Sequence, residues 1–248
     1  MPDKNFSTIR LYLEDDLESG RIIQCTPSQT NYLANVMRLT AGAEFHVFNG
    51  RHGEWLARIV QSGKSRRGCE LEIVEAIRPQ TDPQDIHYLF APLKRQRLDY
   101  IVQKATELGV SRIQPVITER TQVARVKHER MRANVIEAAE QCGILTVPEV
   151  GDLVPLSTIQ KRWPPDRQII FCDENAAAYS PLATLNNLTP GPIAVLIGPE
   201  GGFSDRERDY LRQQSFVVPL SLGPRIMRAD TAGIAVLALV NATLGDWL

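Results

Sequence analysis

The sequence predicts an α/β protein in two parts: a small N-terminal β-rich module and a larger C-terminal domain built on a parallel sheet. Short strand-like runs with a turn at Asn49-Gly50 fill the first part, as in a small barrel. A polar, proline-containing stretch follows them. Beyond it a strand, a helix and a strand succeed one another, a βαβ pattern that makes the sheet parallel. We therefore expect domains at 1–75 and 87–248, joined by a linker at 76–86.

Length and composition are those of an ordinary globular protein. The 248 residues are 43% hydrophobic and 23% charged, and no apolar run approaches a membrane span. The first ten residues lack the basic and apolar pattern of a signal peptide, so we expect a cytoplasmic protein that has no membrane partner. Four scattered cysteines without a CxxC pair argue against a metal site or a disulfide framework and favour a reducing compartment.

The N-terminal module reads as short strands around one helix. Ser28 is the expected N-cap of a helix over 27–37, because Tyr32, Leu33 and Val36 follow at helical spacing. Asn49-Gly50 between two apolar runs is a strong hairpin signal. The strand-like runs are 9–13, 44–48, 53–60 and 68–74.

The C-terminal domain reads as alternating strands and helices. A buried strand at 87–93 precedes apolar residues at helical spacing from Leu98 to Leu108, and Gly109 is the expected C-terminal cap. The other predicted elements are strands at 112–117, 168–172, 193–197 and 216–222, a helix at 131–143, and a C-terminal helix from residue 229 that is apolar on most faces and therefore buried.

Two of these strands end in glycine loops, and the span from 193 to 233 is the candidate site. The first loop is Gly198-Pro199-Glu200-Gly201-Gly202, and the second is a Gly-Pro break followed by Arg225-Ile226-Met227-Arg228. Ligands of open α/β sheets bind at the carboxyl ends of the strands. Glu200 inside the loop and the lack of a following lysine disfavour a polyphosphate and suit a neutral or cationic ligand. Taken alone, the first loop could equally be a tight turn.

The pair IGPEGGFSDRE and SLGPRIMRADTAG resembles the signature of the RsmE family. These are small-subunit ribosomal RNA uracil-N3 methyltransferases of the SPOUT class that use S-adenosylmethionine. The segments KATELGVSRIQPVITERTQ and EQCG…VPE extend the resemblance over nearly the whole chain. It implies a PUA-like N-terminal barrel, a deep trefoil knot in the C-terminal domain and a homodimer. The chain departs from the family pattern in places: Ile144 stands where an arginine is usual, Ala229 replaces a threonine, and Asp230 replaces a glutamate.

The resemblance also assigns residues to roles. The cofactor would be held by Ile197, Gly198, Pro199, Glu200, Gly201, Gly202, Leu222, Gly223, Ile226, Met227 and Thr231. RNA contacts are expected among Arg10, Arg38, Lys64, Arg66, Arg67, Lys94, Arg95, Arg97, Arg120 and Gln141; a solvated surface is the alternative for the charged loop 64–67. The net charge of −1 counts against a free-standing RNA binder and favours a shaped target, the assembled small subunit with its 16S RNA.

The expected chemistry needs the uracil N3 proton to leave. An arginine beside O2 or O4 would stabilise the resulting anion, and Arg228 is the first candidate, with Arg10 or Arg95 as others. Glu200 is a candidate base and equally a loop-shaping residue; loss of the proton to water is a further option. Other readings are a SPOUT enzyme acting on a ribose hydroxyl or a tRNA base, an inactive RNA-binding assembly factor, and a nucleotide-phosphate-dependent enzyme, which Glu200 disfavours.

Overall fold

A computed structural model describes residues 9–62, 68–161, 163–176 and 180–247. The chain forms two compact units. The first, here called the β module, comprises Met1–Asp82 and Ala139–Val147; the second, the α/β unit, comprises Pro83–Ala138 and Pro148–Leu248. The predicted α/β fold class is confirmed by this arrangement of elements.

The β module is a mostly antiparallel sheet of five strands around one apolar core. The core contains side chains from every strand, among them Leu11, Phe45, Ile59 and Leu71, and each is at least 95% buried. The strand order is β1-β3-β4-β5-β2, with β1 parallel to β3 and the other pairs antiparallel. The strands are β1 (Arg10–Tyr12), β2 (Ile22–Gln24), β3 (Glu44–Phe48), β4 (Glu54–Gln61) and β5 (Glu70–Arg78).

The predicted hairpin at Asn49-Gly50 is confirmed, because β3 and β4 pair on either side of it. Gly50 has a φ of +79°, a conformation that glycine adopts without steric cost. Strand β5 extends to Arg78, three residues into the stretch that composition had suggested as a linker.

The helix in the β module differs from its prediction in two ways. Its N-cap is Thr26 and not Ser28: the Thr26 hydroxyl accepts from the Gln29 amide while the Gln29 side chain accepts from the Thr26 amide. The α-helix, α1, ends at Asn31 (Pro27–Asn31), and a π-helical turn (Tyr32–Val36) continues it. Thr26 rather than Ser28 is the N-cap because Pro27 fits the first helical position.

A buried carboxylate holds two arginines inside the β module. The Glu54 side chain is 1% exposed and accepts from Arg10 Nε at 2.7 Å and from Arg78 Nε at 2.6 Å. Arg78 also donates to the carbonyl of Gly143 at 3.1 Å. Burial would raise the pKa of Glu54, but the hydrogen bonds from Arg78 and Arg10 outweigh it, so the pKa lies below its usual value.

Replacing Glu54 is expected to destabilise the protein strongly. Glu54→Gln leaves two guanidinium groups sharing a neutral amide, and removing one partner of a buried pair typically costs about 3–5 kcal/mol. The matched control is Glu72→Gln, which breaks an exposed pair with Arg58 and should cost less than about 1 kcal/mol. Urea unfolding measures the free energy of unfolding of both variants. Equal losses would contradict a stabilising role for the buried Glu54 carboxylate.

The α/β unit is built on a parallel sheet, as predicted. The strand order is β12-β10-β11-β6-β7-β8, and β9 also pairs with β7. Every pairing is parallel. The strands are β6 (Ile86–Phe90), β7 (Arg112–Ile117), β8 (Glu149–Val150), β9 (Val154–Pro155), β10 (Gln168–Cys172), β11 (Ile193–Ile197) and β12 (Val217–Leu220).

Helices cover this sheet. They are α2 (Arg95–Glu107), α3 (His128–Cys142), α4 (Leu156–Lys161), α5 (Pro181–Asn186), α6 (Asp205–Arg212) and α7 (Ala229–Leu244). Gly109 ends α2 with a φ of +76°, so the predicted cap is confirmed. The last four residues of α3 belong to the β module. Within the described residues, no helix is long and apolar enough to cross a membrane.

The C-terminal helix packs closely on the sheet because of one glycine. A Cβ at Gly233 would collide with the buried Tyr88 hydroxyl and lie 3.0 Å from Ile101 Cδ1. Close approach lets α7 bury Val236, Leu237 and other apolar side chains. The predicted burial of this helix is therefore confirmed for its sheet-facing side.

His87, near the start of strand β6, makes the stability of the protein depend on pH. Burial first, and then the nearby Arg167 guanidinium, lower the pKa of His87 to about 4. The unfolded chain, with a histidine pKa of about 6.5, binds more protons between these values. Stability should therefore be full above pH 6.5 and fall as the pH drops towards 4, by at most about 3 kcal/mol from this group. Urea unfolding at pH 7.5 and 5.0 should show a smaller drop for His87→Gln; an identical drop would contradict this.

Candidate active site

Both glycine loops lie at the carboxyl edge of the parallel sheet. The first, residues 198–202, follows β11, which is flanked by β10 and β6. The second, residues 221–228, follows β12 and leads into α7. Strand β10 lies between β11 and β12, so the sheet does not make the two loops direct neighbours. Parallel strands nevertheless bring both loops to the edge where α/β proteins bind ligands.

Steric constraints set the shape of the first loop. A Cβ at Gly198 would lie 2.6 Å from Cε2 of the fully buried Phe203. Gly202 has a φ of +66°, and its amide donates to the Pro199 carbonyl at 2.9 Å. A side chain at Gly202 would also collide with Glu174. Glycine is therefore needed at both ends of the loop, for space at Gly198 and for backbone conformation at Gly202.

Residues beyond the loop hold it in place. Ser204 is the N-cap of α6 and forms a capping box with Glu207. The Glu207 carboxylate also accepts from the Glu119 amide, in the loop after β7, at 2.9 Å. The next residue, Arg120, donates to the Gly201 carbonyl at 2.9 Å. The loop after β7 thus makes one hydrogen bond to the glycine loop and one to the first turn of α6.

Glu200, at the tip of the glycine loop, faces an arginine. Arg97 Nη1 lies 3.6 Å from Glu200 Oε1, and Arg97 Nε lies 3.9 Å from Asp230 Oδ2. Arg97 and Glu200 are each 38% exposed, and Asp230 is 15% exposed. Arg97 belongs to the first turn of α2, and Asp230 to the first turn of α7. One guanidinium therefore lies beside a carboxylate of the first loop and a carboxylate of the helix that follows the second loop.

The acidic residues after β10 make structural ion pairs. Asp173 is buried, and it accepts from Arg208 Nε at 3.0 Å and also from Arg212. Arg208, only 7% exposed, also pairs with Glu174 and Asp205. The two arginine partners of Asp173 give this segment a structural role.

The second loop is open to solvent. Gly223 has a φ of +109°, and Ile226 is 95% exposed. Leu222 and Met227 are half-buried. Arg228 is exposed, is the N-cap residue of α7, and makes no ion pair with any residue in the described part of the chain. The loop therefore presents the apolar side chain of Ile226 and the guanidinium of Arg228 to solvent at the carboxyl edge of the sheet.

The candidate RNA contacts fall into three groups. Lys94, Arg95, Arg97 and Arg120 are at the carboxyl edge of the sheet in the α/β unit, where all but the half-buried Arg97 are exposed. In the β module, Arg38 and Gln141 are exposed, whereas the Arg10 side chain is 9% exposed and paired with Glu54. Lys64, Arg66 and Arg67 lie outside the described residues.

Comparison with known proteins identifies the family. The RNA methyltransferase domain matches residues 80–241, and the RNA methyltransferase PUA domain matches residues 26–72. A ribosomal RNA small subunit methyltransferase E from Synechocystis sp. is 32% identical over 230 residues, which cover 90% of this chain and 73% of that protein. The chain belongs to the ribosomal RNA small subunit methyltransferase E family.

Two solved structures in this fold carry a bound ligand. A ribosomal RNA small subunit methyltransferase E from Neisseria gonorrhoeae, bound to S-adenosylmethionine, is 28% identical with a TM-score of 0.87, over 97% of this chain and 100% of that one. A putative methyltransferase from Legionella pneumophila, in complex with the same cofactor, is 30% identical with a TM-score of 0.83, over 95% and 97% of the two chains. The predicted family and cofactor are therefore confirmed.

The two loops have the chemistry that S-adenosylmethionine requires. The Glu200 carboxylate is partly exposed and suits a cationic ligand. The exposed Ile226 and half-buried Met227 and Leu222 offer apolar surface for an adenine ring. Neither loop contains the lysine with which a P-loop binds a triphosphate. The residues present thus fit the cofactor of the family.

Sequence reasoning missed the supports of the site. Glu207 and Arg208 had no assigned role, although Ser204 followed three residues later by Glu207 is a capping-box signature that could have been found. The pairing of Asp173 with Arg208 joins positions 35 residues apart and leaves no local pattern.

Proposed function

We propose that the protein transfers a methyl group from S-adenosylmethionine to N3 of a uridine in small-subunit ribosomal RNA. The observation that carries the proposal is the pair of glycine loops at one sheet edge, with apolar surface, a carboxylate and the exposed Arg228. Membership of the methyltransferase E family supports the substrate class. Nothing in the two loops favours the alternative of a nucleotide-phosphate-dependent enzyme.

The cofactor supplies a methyl group that its sulfonium has already activated, so the protein mainly positions the base and assists proton loss. We assign cofactor binding to the backbone of residues 197–202 and to Leu222, Gly223, Ile226, Met227 and Thr231. Glycines at 198 and 202 let the loop pack closely against Phe203 and Glu174, and this packing sets the position of its backbone groups. The buried Phe203 fixes the loop from below, because its ring packs edge-on against Phe171.

Arg228 is the proposed catalytic residue. Uracil N3 has no free lone pair until its proton leaves, and the anion that forms places charge on O2 and O4. A guanidinium beside one of these oxygens lowers the cost of that charge. Arg228 suits this role because no carboxylate in the described part of the chain neutralises it. Arg95, exposed at the N-terminus of α2, is the proposed second cation of the site.

The net charge of the chain and its family membership indicate the form in which it meets its RNA substrate. A chain with a net charge of −1 lacks the broad positive field of a general RNA binder, so we propose that it recognises RNA already folded in the small subunit. Exposed basic residues for phosphate contacts are Arg38, Lys94, Arg95 and Arg120. We further propose a cytoplasmic homodimer, a trefoil knot in the C-terminal part, and domains at 1–75 and 87–248.

The proposal is tested with labelled S-adenosylmethionine and purified RNA particles. Small subunits from a strain that lacks this methyltransferase should incorporate label, whereas large subunits and tRNA should not. Naked short RNA of the same sequence should be a poor substrate at physiological salt. Label in tRNA, or only in ribose 2′-hydroxyls, would replace the proposed target by another. Cofactor binding without transfer to any RNA would favour an inactive assembly factor.

A further inference from the structure

Arg97 contacts carboxylates in both halves of the site. It belongs to the first turn of α2, and its guanidinium lies 3.6 Å from Glu200 in the first loop and 3.9 Å from Asp230 in the first turn of α7. Asp230 is two residues beyond Arg228. Although β10 separates the two parent strands, this one side chain lies close both to the first loop and to the helix that follows the second.

The contacts differ from those expected of an RNA-binding arginine. A phosphate contact requires a cation that is free to face the nucleic acid, whereas Arg97 is half-buried between two carboxylates. The exposed Lys94 and Arg95 on the same turn make no ion pair in the described part of the chain. An arginine suits a two-carboxylate site because its planar fork presents Nη1 and Nε to different partners at once.

The same contacts bear on Glu200. Its carboxylate has a guanidinium on one side, and the next residue, Gly201, is held through its carbonyl by Arg120. The tip of the glycine loop is thus fixed from α2 and from the loop after β7. Both fixing residues come from outside the loop sequence, and both are arginines.

We propose that Arg97 is a positioning residue of the methyltransferase site. By pairing with Glu200 and Asp230, it sets the spacing of the two cofactor loops and thereby the place of Arg228. In this arrangement Glu200 shapes the loop and is not the proton acceptor. The inference rests on the proposed function, because it concerns the cofactor site of that reaction.

The test is calorimetric binding of S-adenosylmethionine to the full chain in the absence of RNA. Arg97→Gln should raise the Kd about fivefold, as expected for the loss of two partly exposed ion pairs. Arg97→Lys should give an intermediate value because one ammonium cannot serve both carboxylates in the same way. Arg206→Gln removes the same charge from the exposed face of α6 and should keep the Kd within about twofold of the wild type.

A double-mutant cycle and an RNA readout complete the test. In a Glu200→Gln background, Arg97→Gln should raise the Kd less than in the wild type, since one partner is already gone. Glu200→Gln alone should keep the wild-type pH profile of methyl transfer, and thermal unfolding should show that the variants are folded. An unchanged Kd together with weaker binding to small subunits would overturn the proposal and make Arg97 a phosphate contact. A wild type that binds no S-adenosylmethionine would overturn the proposed function as well.

Discussion

Arg228→Ala is expected to reduce methyl transfer by about 10²–10³-fold while leaving S-adenosylmethionine binding within about threefold of the wild type. The reason is that the side chain is exposed and makes no ion pair in the described part of the chain, so its removal disturbs no packing. A loss confined to turnover is the signature of a group that acts in the transition state. The measurement is single-turnover transfer to small subunits, with calorimetry for the cofactor.

The control for Arg228 is Arg225→Ala in the same loop. Arg225 is also exposed, and it precedes the apolar Ile226. A general electrostatic role of the loop would make the two variants equally slow. A specific role for Arg228 predicts that Arg225→Ala retains most of the turnover. Retention of full activity by Arg228→Ala would remove this residue from the mechanism.

Gly198→Ala is expected to weaken cofactor binding by at least about tenfold and to lower the unfolding free energy by about 1–3 kcal/mol. The new methyl group would lie 2.6 Å from Phe203 Cε2. That ring is fully buried and packs edge-on against Phe171, with 4.9 Å between the ring centroids, so it has little room to move. The loop must shift instead, and the backbone groups that hold the cofactor shift with it.

The matched control for Gly198 is Gly191→Ala. A Cβ at Gly191 meets no atom within 4 Å, and the position is exposed. This change should leave the affinity and the stability within experimental error. Calorimetry and thermal unfolding measure both variants. Wild-type affinity in Gly198→Ala would show that the loop tolerates the added methyl and would refute the steric account.

Much of the α/β unit could be predicted from local pattern. The strands Arg112–Ile117, Gln168–Cys172 and Ile193–Ile197 agree residue by residue, because each is a short, mostly apolar segment next to polar residues or glycine. The C-terminal cap at Gly109 followed from the same reasoning. The fold class itself came from the order of the elements.

Interactions between distant residues could not be predicted. Arg10 reads as a free surface cation, yet it pairs with Glu54, 44 residues further along the chain. The sequence places Arg208 in a polar helix, yet its side chain is buried and forms an ion pair with Asp173. Charged residues are rarely buried unless paired, and the partner is set by tertiary structure rather than by periodicity. The role of Arg97 beside two carboxylates was hidden for the same reason.

The central claim, that one uridine is methylated at N3, is tested most directly by mapping the modified nucleoside. Small subunits that lack the modification are treated with the protein and S-adenosylmethionine, and their RNA is digested and analysed by mass spectrometry. We expect 3-methyluridine, together with a reverse-transcription stop at a single position, because the methyl group blocks the Watson–Crick edge. A 2′-O-methylated nucleoside or a methylated base other than uracil would contradict the claim.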